Sequence, residues 1–333
     1  MATSTTPPST LSHDLRIAVA DLEQVNPWVG LWRFASVGIL FLITVVLAWS
    51  TSNLILFIGL SAIASMIYAF WLICTHDMLH HTLTGWKWFD EGMARLISYP
   101  MLWPYGTYAQ LHRLHHAWNG IDLRDPERVQ WTQAEYEQAN SWQQWYVRHQ
   151  WSINILGLGG FGLIAKTVYN GLRFRHQVPA LYQTLLTDGL GIFVAQASLI
   201  TLAIQHNQLT HYLLFCLILE RVIGAITQLR DHIEHYALWN THKGHQLTQL
   251  YACRNLNTPA FVSWLMCGLD DHSMHHAFPN IPFNHLAEAF HRTQAVLEQH
   301  QLPVIPRGDG YIRETLRLST QPQLIEMSVG DPS

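Results

Sequence analysis

Long apolar runs along the chain alternate with polar stretches in which histidine recurs. Two runs, Trp32 to Ser50 and Leu54 to Cys74, are each close to the ~20 residues that a helix needs to cross ~30 Å of hydrocarbon. Only Thr51, Ser52 and Asn53 separate them, which predicts a tight helical hairpin. Two further runs, Leu185 to Gln205 and Tyr212 to about Leu229, are joined by the short turn His206 to His211 and predict a second hairpin. The run from Trp151 to Ala165 is shorter and holds Gly157, Gly159, Gly160 and Gly162, so an interfacial or re-entrant segment suits it better than a full span. The stretch Leu96 to Tyr108, interrupted by Pro100 and Pro104, is ambiguous in the same way. The pattern predicts an all-α integral membrane protein with about four transmembrane helices in two hairpins and a helical cap on one side.

Charge gives that cap a side. Neither hairpin turn contains Lys or Arg, whereas the N-terminal tail, the region from His76 to about Thr184 and everything after Leu229 hold almost all of them. Cationic segments stay in the cytosol, so both termini and the cap are expected there and the two turns outside. Residues 1–26, rich in Ser, Thr and Pro with no basic segment ahead of an apolar run, read as a mobile tail rather than a signal peptide. Residues 27–318 form the membrane domain, and residues 319–333 a second tail.

Composition agrees with the membrane reading, since 49% of residues are hydrophobic and only 13% charged, against roughly 25% charged in soluble domains. The 19 Lys and Arg are scattered and the formal net charge is -4, which excludes a nucleic-acid partner. Cys74, Cys216, Cys253 and Cys267 form no CxxC pair, so neither a disulfide framework nor a thiolate cluster is expected. The exceptional count is 21 histidines, more than Lys and Arg together.

Those histidines fall into groups at the ends of the apolar runs. The second run leads into His76-Asp77-Met78-Leu79-His80-His81, where His76 and His80 share one helical face and His81 points elsewhere. His112-Arg113-Leu114-His115-His116 and His272-Ser273-Met274-His275-His276 each put three imidazoles on one helical stripe. Just past the last span comes Asp231-His232-Ile233-Glu234-His235-Tyr236. A lone HxxxH is more often incidental than metal-binding, but three such clusters on one expected side of a membrane are hard to produce by accident. So many imidazoles without a thiolate exceed what one tetrahedral zinc uses and point to two transition metals, iron if the task is O2 activation. Asp77, Glu234, Asp270 and Asp271 can orient imidazoles by accepting their second ring N–H, or be solvated surface acids.

Two other classes deserve comparison. A membrane metal transporter would carry His and acidic residues inside its spans, and a bis-histidine haem carrier would pair histidines across them. Here the expected spans are poor in both, and the histidines cluster outside them.

The clusters, in order and spacing, resemble the histidine boxes of the membrane fatty acid desaturase and hydroxylase superfamily, as do Asp125-Pro126-Glu127 and Phe278-Pro279-Asn280-Ile281-Pro282 beside them. The likeness covers roughly Trp71 to Leu286. It implies two iron ions held by His76, His80, His112, His115, His116, His235, His272, His275 and His276, with His235 favoured over His232 by the Glu234-His235-Tyr236 segment. It also implies O2 as co-substrate, a lipid acyl chain as substrate, and a separate electron donor such as ferredoxin or cytochrome b5. The second box sides with desaturases. Asp270 and Met274 depart from the acyl-lipid desaturase pattern, and the His272-Ser273 start resembles hydroxylases acting on fatty acids, alkanes or carotenoids.

Overall fold

The computed structural model describes residues 8–326, and its regular structure is helical apart from one parallel pair of two-residue strands, Asn255–Leu256 beside Arg307–Gly308. The outermost parts of both expected tails, residues 1–7 and 327–333, lie outside the described residues. The chain divides into two compact units. The first comprises residues 27–114 and 151–229; the second comprises the chain up to Asn26, His115–Gln150 and everything from Arg230 onward.

Among the described residues, five helices are long and apolar enough to cross a membrane: Pro27–Trp49, Leu54–Leu79, Ser141–Phe174, Ala180–Gln205 and Leu209–His235. Four of them contain the runs expected to span, and the fifth contains the glycine-rich run expected to lie at the interface. Their apolar faces point outward. Ile39, Leu40, Ile43, Val46 and Leu47 are exposed on Pro27–Trp49, and only 6% of the apolar window of Ala180–Gln205 is buried. A water-soluble helix shows the reverse pattern, so the solvent that suits these faces is lipid.

Within the first unit, small residues and aromatic rings set the helix contacts. Pro27–Trp49 packs on Leu54–Leu79 closely enough that a Cβ at Gly38 would lie 2.7 Å from the Trp71 ring. Asn53 ends the turn between them by accepting the Leu56 N–H at 3.0 Å, as an N-cap residue does. Fully buried Arg33 donates to the Phe70 carbonyl at 2.9 Å.

The glycine-rich run holds a break. A π-helical turn, Ile153–Leu158, leads to Gly159 at φ +53°, and a new α-helix, Gly159–Phe174, begins there. Such a break releases backbone groups that lipid cannot satisfy. Arg221 donates to the carbonyls of Gly157 at 2.6 Å and Leu158 at 3.0 Å, and Glu220 accepts the Phe161 N–H at 2.8 Å. The Glu220-Arg221 pair, costly in a span by itself, is therefore the polar lining of a broken helix. The neighbouring Gly224 is obligatory, since a Cβ there would lie 1.9 Å from the Gly160 nitrogen.

The second unit has its own apolar core, built from Leu250, Met274, Phe278, Ile281, Leu286, Phe290 and Leu297 among others. Leu15, Val19 and Leu22 belong to it. The segment expected to be a mobile tail thus forms the helix Pro8–Val19, packed on Leu286–Gln299. Apolar positions at helical spacing explain this, because burying each of Leu15 and Val19 contributes about 1.5–3 kcal/mol. His300 Nε2 meets the Asp14 carboxylate at 2.8 Å, and His285 donates to the Leu22 carbonyl at 2.9 Å. At the other terminus Ile325 is buried, its N–H bonded to the Trp131 carbonyl at 2.9 Å.

Candidate metal centre

In the first unit, the Leu54–Leu79 helix ends at the first histidine cluster. His76 and His80 lie one turn apart with ring centroids 5.8 Å from each other. His112, on the Tyr105–Trp118 helix, brings its ring to 4.7 Å from His76 and 5.7 Å from His80. His81 takes a left-handed conformation, φ +58°, which ends the helix and turns its side chain toward Glu91. The Tyr105–Trp118 helix is anchored at its start by Asp188, fully buried, whose carboxylate accepts the Thr107 N–H at 2.9 Å and the Tyr99 hydroxyl at 3.1 Å. Burial, helped by the nearby Arg113 and His81, pushes the His80 imidazole down to about 3, so it stays neutral and able to donate a lone pair.

The same helix carries His115 and His116 into the second unit, where they meet His235, His272, His275 and His276. His235 Nε2 lies 3.1 Å from His115 Nε2 and also 3.1 Å from His272 Nε2. His275 Nε2 and His116 Nε2 are likewise 3.1 Å apart. The ring of His276 stacks on His116 at 4.1 Å. In a neutral imidazole each nitrogen is either one donor or one acceptor, so the single Nε2 of His235 cannot make two good hydrogen bonds at once. A cation bound at about 2.0–2.1 Å leaves its ligand nitrogens roughly 3 Å apart, so the convergence of three Nε2 atoms suits a shared metal. Burial holds His272 and His276 well below their ordinary values, which keeps both neutral and ready to ligate. The donor set in each unit fits transition metals such as iron.

Beyond the imidazoles, the structure distinguishes carboxylates that touch them from those that do not. The Nδ1 of His115 lies 2.9 Å from both oxygens of the buried Asp125. Burial lowers the His115 value, but Asp125 and Glu127 outweigh it and bring it to about 9. The negative charge that strengthens Nε2 toward a proton also strengthens it toward a cation. Glu234 approaches His272 Nε2 at 3.5 Å and Arg230 at 3.0 Å, and Asp77 lies 3.9 Å from His76 Nδ1. Asp270 instead accepts from Thr258 at 2.7 Å and Ser263 at 2.6 Å, while Asp271 pairs with Arg307. Both organise the loop before the third box rather than an imidazole.

Two groups beside the cluster escape a sequence search. Gln249 Oε1 lies 3.0 Å from His276 Nδ1. Cys253 Sγ lies 3.8 Å from His235 Nδ1, and His235, Cys253, His272 and His276 present ligand atoms within 4.8 Å of one another. Burial, with Glu234 nearby, pushes the Cys253 thiol well up, which favours its protonated form. Asp125 was findable from its Asp-Pro-Glu context; Gln249 and Cys253 sit in no motif. A pocket lined by His115, Asp125, Glu127, Gln130, His235 and Trp239 lies beside this cluster.

Comparison with known proteins agrees with this chemistry. No curated protein matches the chain. The family model for fatty acid desaturase matches residues 47–308, a stretch that takes in all three histidine boxes and the His235 segment. With nearly all-helical architecture, apolar spans and clustered histidines besides, this chain belongs to the fatty acid desaturase family.

Proposed function

We propose that the chain is an O2-dependent desaturase that introduces a double bond into a lipid acyl chain, using two irons bound by His76, His80, His112, His115, His116, His235, His272, His275 and His276. The observation that carries this reading is the meeting of the His115, His235 and His272 Nε2 atoms at 3.1 Å within a chain of the desaturase family. Oxidation of an unactivated C–H bond is chemistry that iron and O2 supply when bound. The residues of this chain hold His80, His272 and His276 neutral, orient His115 against Asp125 and surround the imidazoles with buried groups. Tyr108 places its ring 5.4 Å from His112, with Trp103 at 5.3 Å behind it, a wall against which a hydrocarbon chain can lie. In this reading electrons come from a separate donor such as ferredoxin or cytochrome b5; the four cysteines fall in no pattern that would hold an iron–sulfur cluster. The charge bias supports a cytosolic position for the clusters and both termini.

A hydroxylase acting on a fatty acid, alkane or carotenoid is the second reading, favoured by the His272-Ser273 start of the third box and by Glu234-His235-Tyr236. Both reactions begin by removing one hydrogen from the chain. They part at whether a second hydrogen leaves or oxygen is transferred, a matter of placement on the order of 1 Å. Met274, the residue of the third box that departs from the desaturase pattern, is fully buried in the apolar core with Phe278 and Leu286. Its substitution in this chain therefore carries little weight against desaturation. Expression in a host lacking the activity, followed by mass spectrometry of its lipids, should reveal olefinic acyl chains as the main product. An exclusively hydroxylated product would overturn the desaturase assignment.

A further inference from the structure

Behind the His235 and His276 rings, on the side away from the converging Nε2 atoms, lies a continuous layer of buried side-chain hydrogen bonds. Gln249 Nε2 donates to the Asn119 main-chain carbonyl at 2.8 Å. A carbonyl only accepts, so this contact fixes which end of the Gln249 amide is oxygen. That oxygen faces His276 Nδ1 at 3.0 Å and also receives the Asn119 Nδ2 donor at 3.1 Å. The second Asn119 Nδ2 hydrogen goes to Cys253 Sγ at 3.2 Å, and the sulfur in turn faces His235 Nδ1 at 3.8 Å. Asn119, Gln249 and Cys253 are each at most 4% exposed, so these groups exchange little with water.

The consequence is a choice of tautomer. Because Gln249 Oε1 can only accept, His276 must carry its hydrogen on Nδ1, which leaves the lone pair on Nε2. His235, whose Nε2 meets two other imidazole nitrogens, directs its Nδ1 hydrogen at the sulfur. We infer that Asn119, Gln249 and Cys253 form one positioning unit that fixes His235 and His276 with Nε2 presented to a metal, and couples the two rings to each other. Outer partners of metal-bound histidines set ring orientation and donor strength, and their loss typically lowers metal affinity by roughly 10–100-fold. None of the three touches substrate or metal in this assignment.

The inference rests on the iron-binding reading above, and its test is built to fail separately from it. The holoenzyme purified in detergent is compared with Gln249→Met, Gln249→Glu, Cys253→Ala and Cys253→Ser for iron per chain, the rate of iron loss to a chelator, and the Mössbauer spectrum. Gln249→Met and Cys253→Ala should lose iron roughly 10–100-fold faster. Gln249→Glu and Cys253→Ser, which keep an acceptor at each nitrogen, should restore retention, the former with an altered spectrum because a carboxylate strengthens the His276 donor. Should Gln249→Met fail to accumulate, the Cys253 pair carries the same comparison at the other end of the layer. Wild-type retention and an unchanged spectrum in Gln249→Met and Cys253→Ala, or in Cys253→Ala alone when Gln249→Met does not accumulate, would overturn the inference and leave the iron site standing. A wild-type chain that binds no iron would remove both.

Discussion

The two units hold their histidines by different means. In the first, His76, His80 and His112 lean ring on ring, with Tyr108 beside them, and their spacing follows from one helical turn plus the anchoring of the Tyr105–Trp118 helix by Asp188. In the second, polar partners stand behind the rings: Asp125 behind His115, Gln249 behind His276, Cys253 behind His235. Helix geometry is enough to aim a side chain when both ligands share a helix. Ligands gathered from three separate segments need hydrogen bonds to choose the ring flip and the tautomer.

The harshest way to break the comparison is to remove an imidazole from either unit. His80→Ala, His115→Ala, His235→Ala and His275→Ala should each lose activity by roughly 100-fold or more together with bound iron, as product formation and metal analysis will tell, since no apolar neighbour replaces a ligand. Full activity in any one removes that residue from the site.

Asp125→Asn should fall next, with metal affinity lowered by roughly 10–100-fold while the protein still folds. Asp270→Asn supplies the contrast. Its carboxylate bonds Thr258 and Ser263, so the expected cost is about 1–3 kcal/mol of thermal stability with iron content per folded chain unchanged. Iron loss of equal size in both variants would erase the distinction between orienting and structural acids.

Met274 sharpens the comparison within a single helix. Met274→Leu is predicted to cost less than about 1.5 kcal/mol and to leave the product ratio untouched, because the side chain packs in the apolar core. A changed product ratio in that variant would return Met274 to the reaction.

The smallest effect concerns a helix that carries none of the imidazoles. Thr132 and Glu135 form a capping box on Gln133–Gln138, so Thr132→Ala should lower stability by about 1 kcal/mol in a melting experiment. The Arg128 guanidinium, against partial burial, holds the Glu135 carboxyl below its ordinary value. Its contribution is therefore present above the unfolded carboxylate pKa and lost as pH falls through the lower folded value. Glu135→Gln should flatten that acid limb slightly.

Much of this protein was legible in the chain itself. Runs of apolar residues near the length of a bilayer crossing determine helices, because hydrocarbon leaves the backbone no other partner than itself. The HxxxH and HxxHH spacings place imidazoles on common stripes through helix geometry alone. What the tertiary structure decided depends on contacts between residues far apart in sequence. The helix at Pro8–Val19 exists because Leu15 and Val19 have Leu286–Gln299 to cover them, and without that partner a short helix is marginal. The glycine-rich run became a long broken helix because Glu220 and Arg221 satisfy the groups its break releases. The sequence pointed to Asp270 and Asp271 as acids that could orient imidazoles and not to Asp125, yet the folded chain brings Asp125 to an imidazole nitrogen and turns the other two toward hydroxyls and a guanidinium. Local spacing specifies which residues face together along one helix. Which atoms from different segments meet is set by packing, and no periodicity along the chain records it.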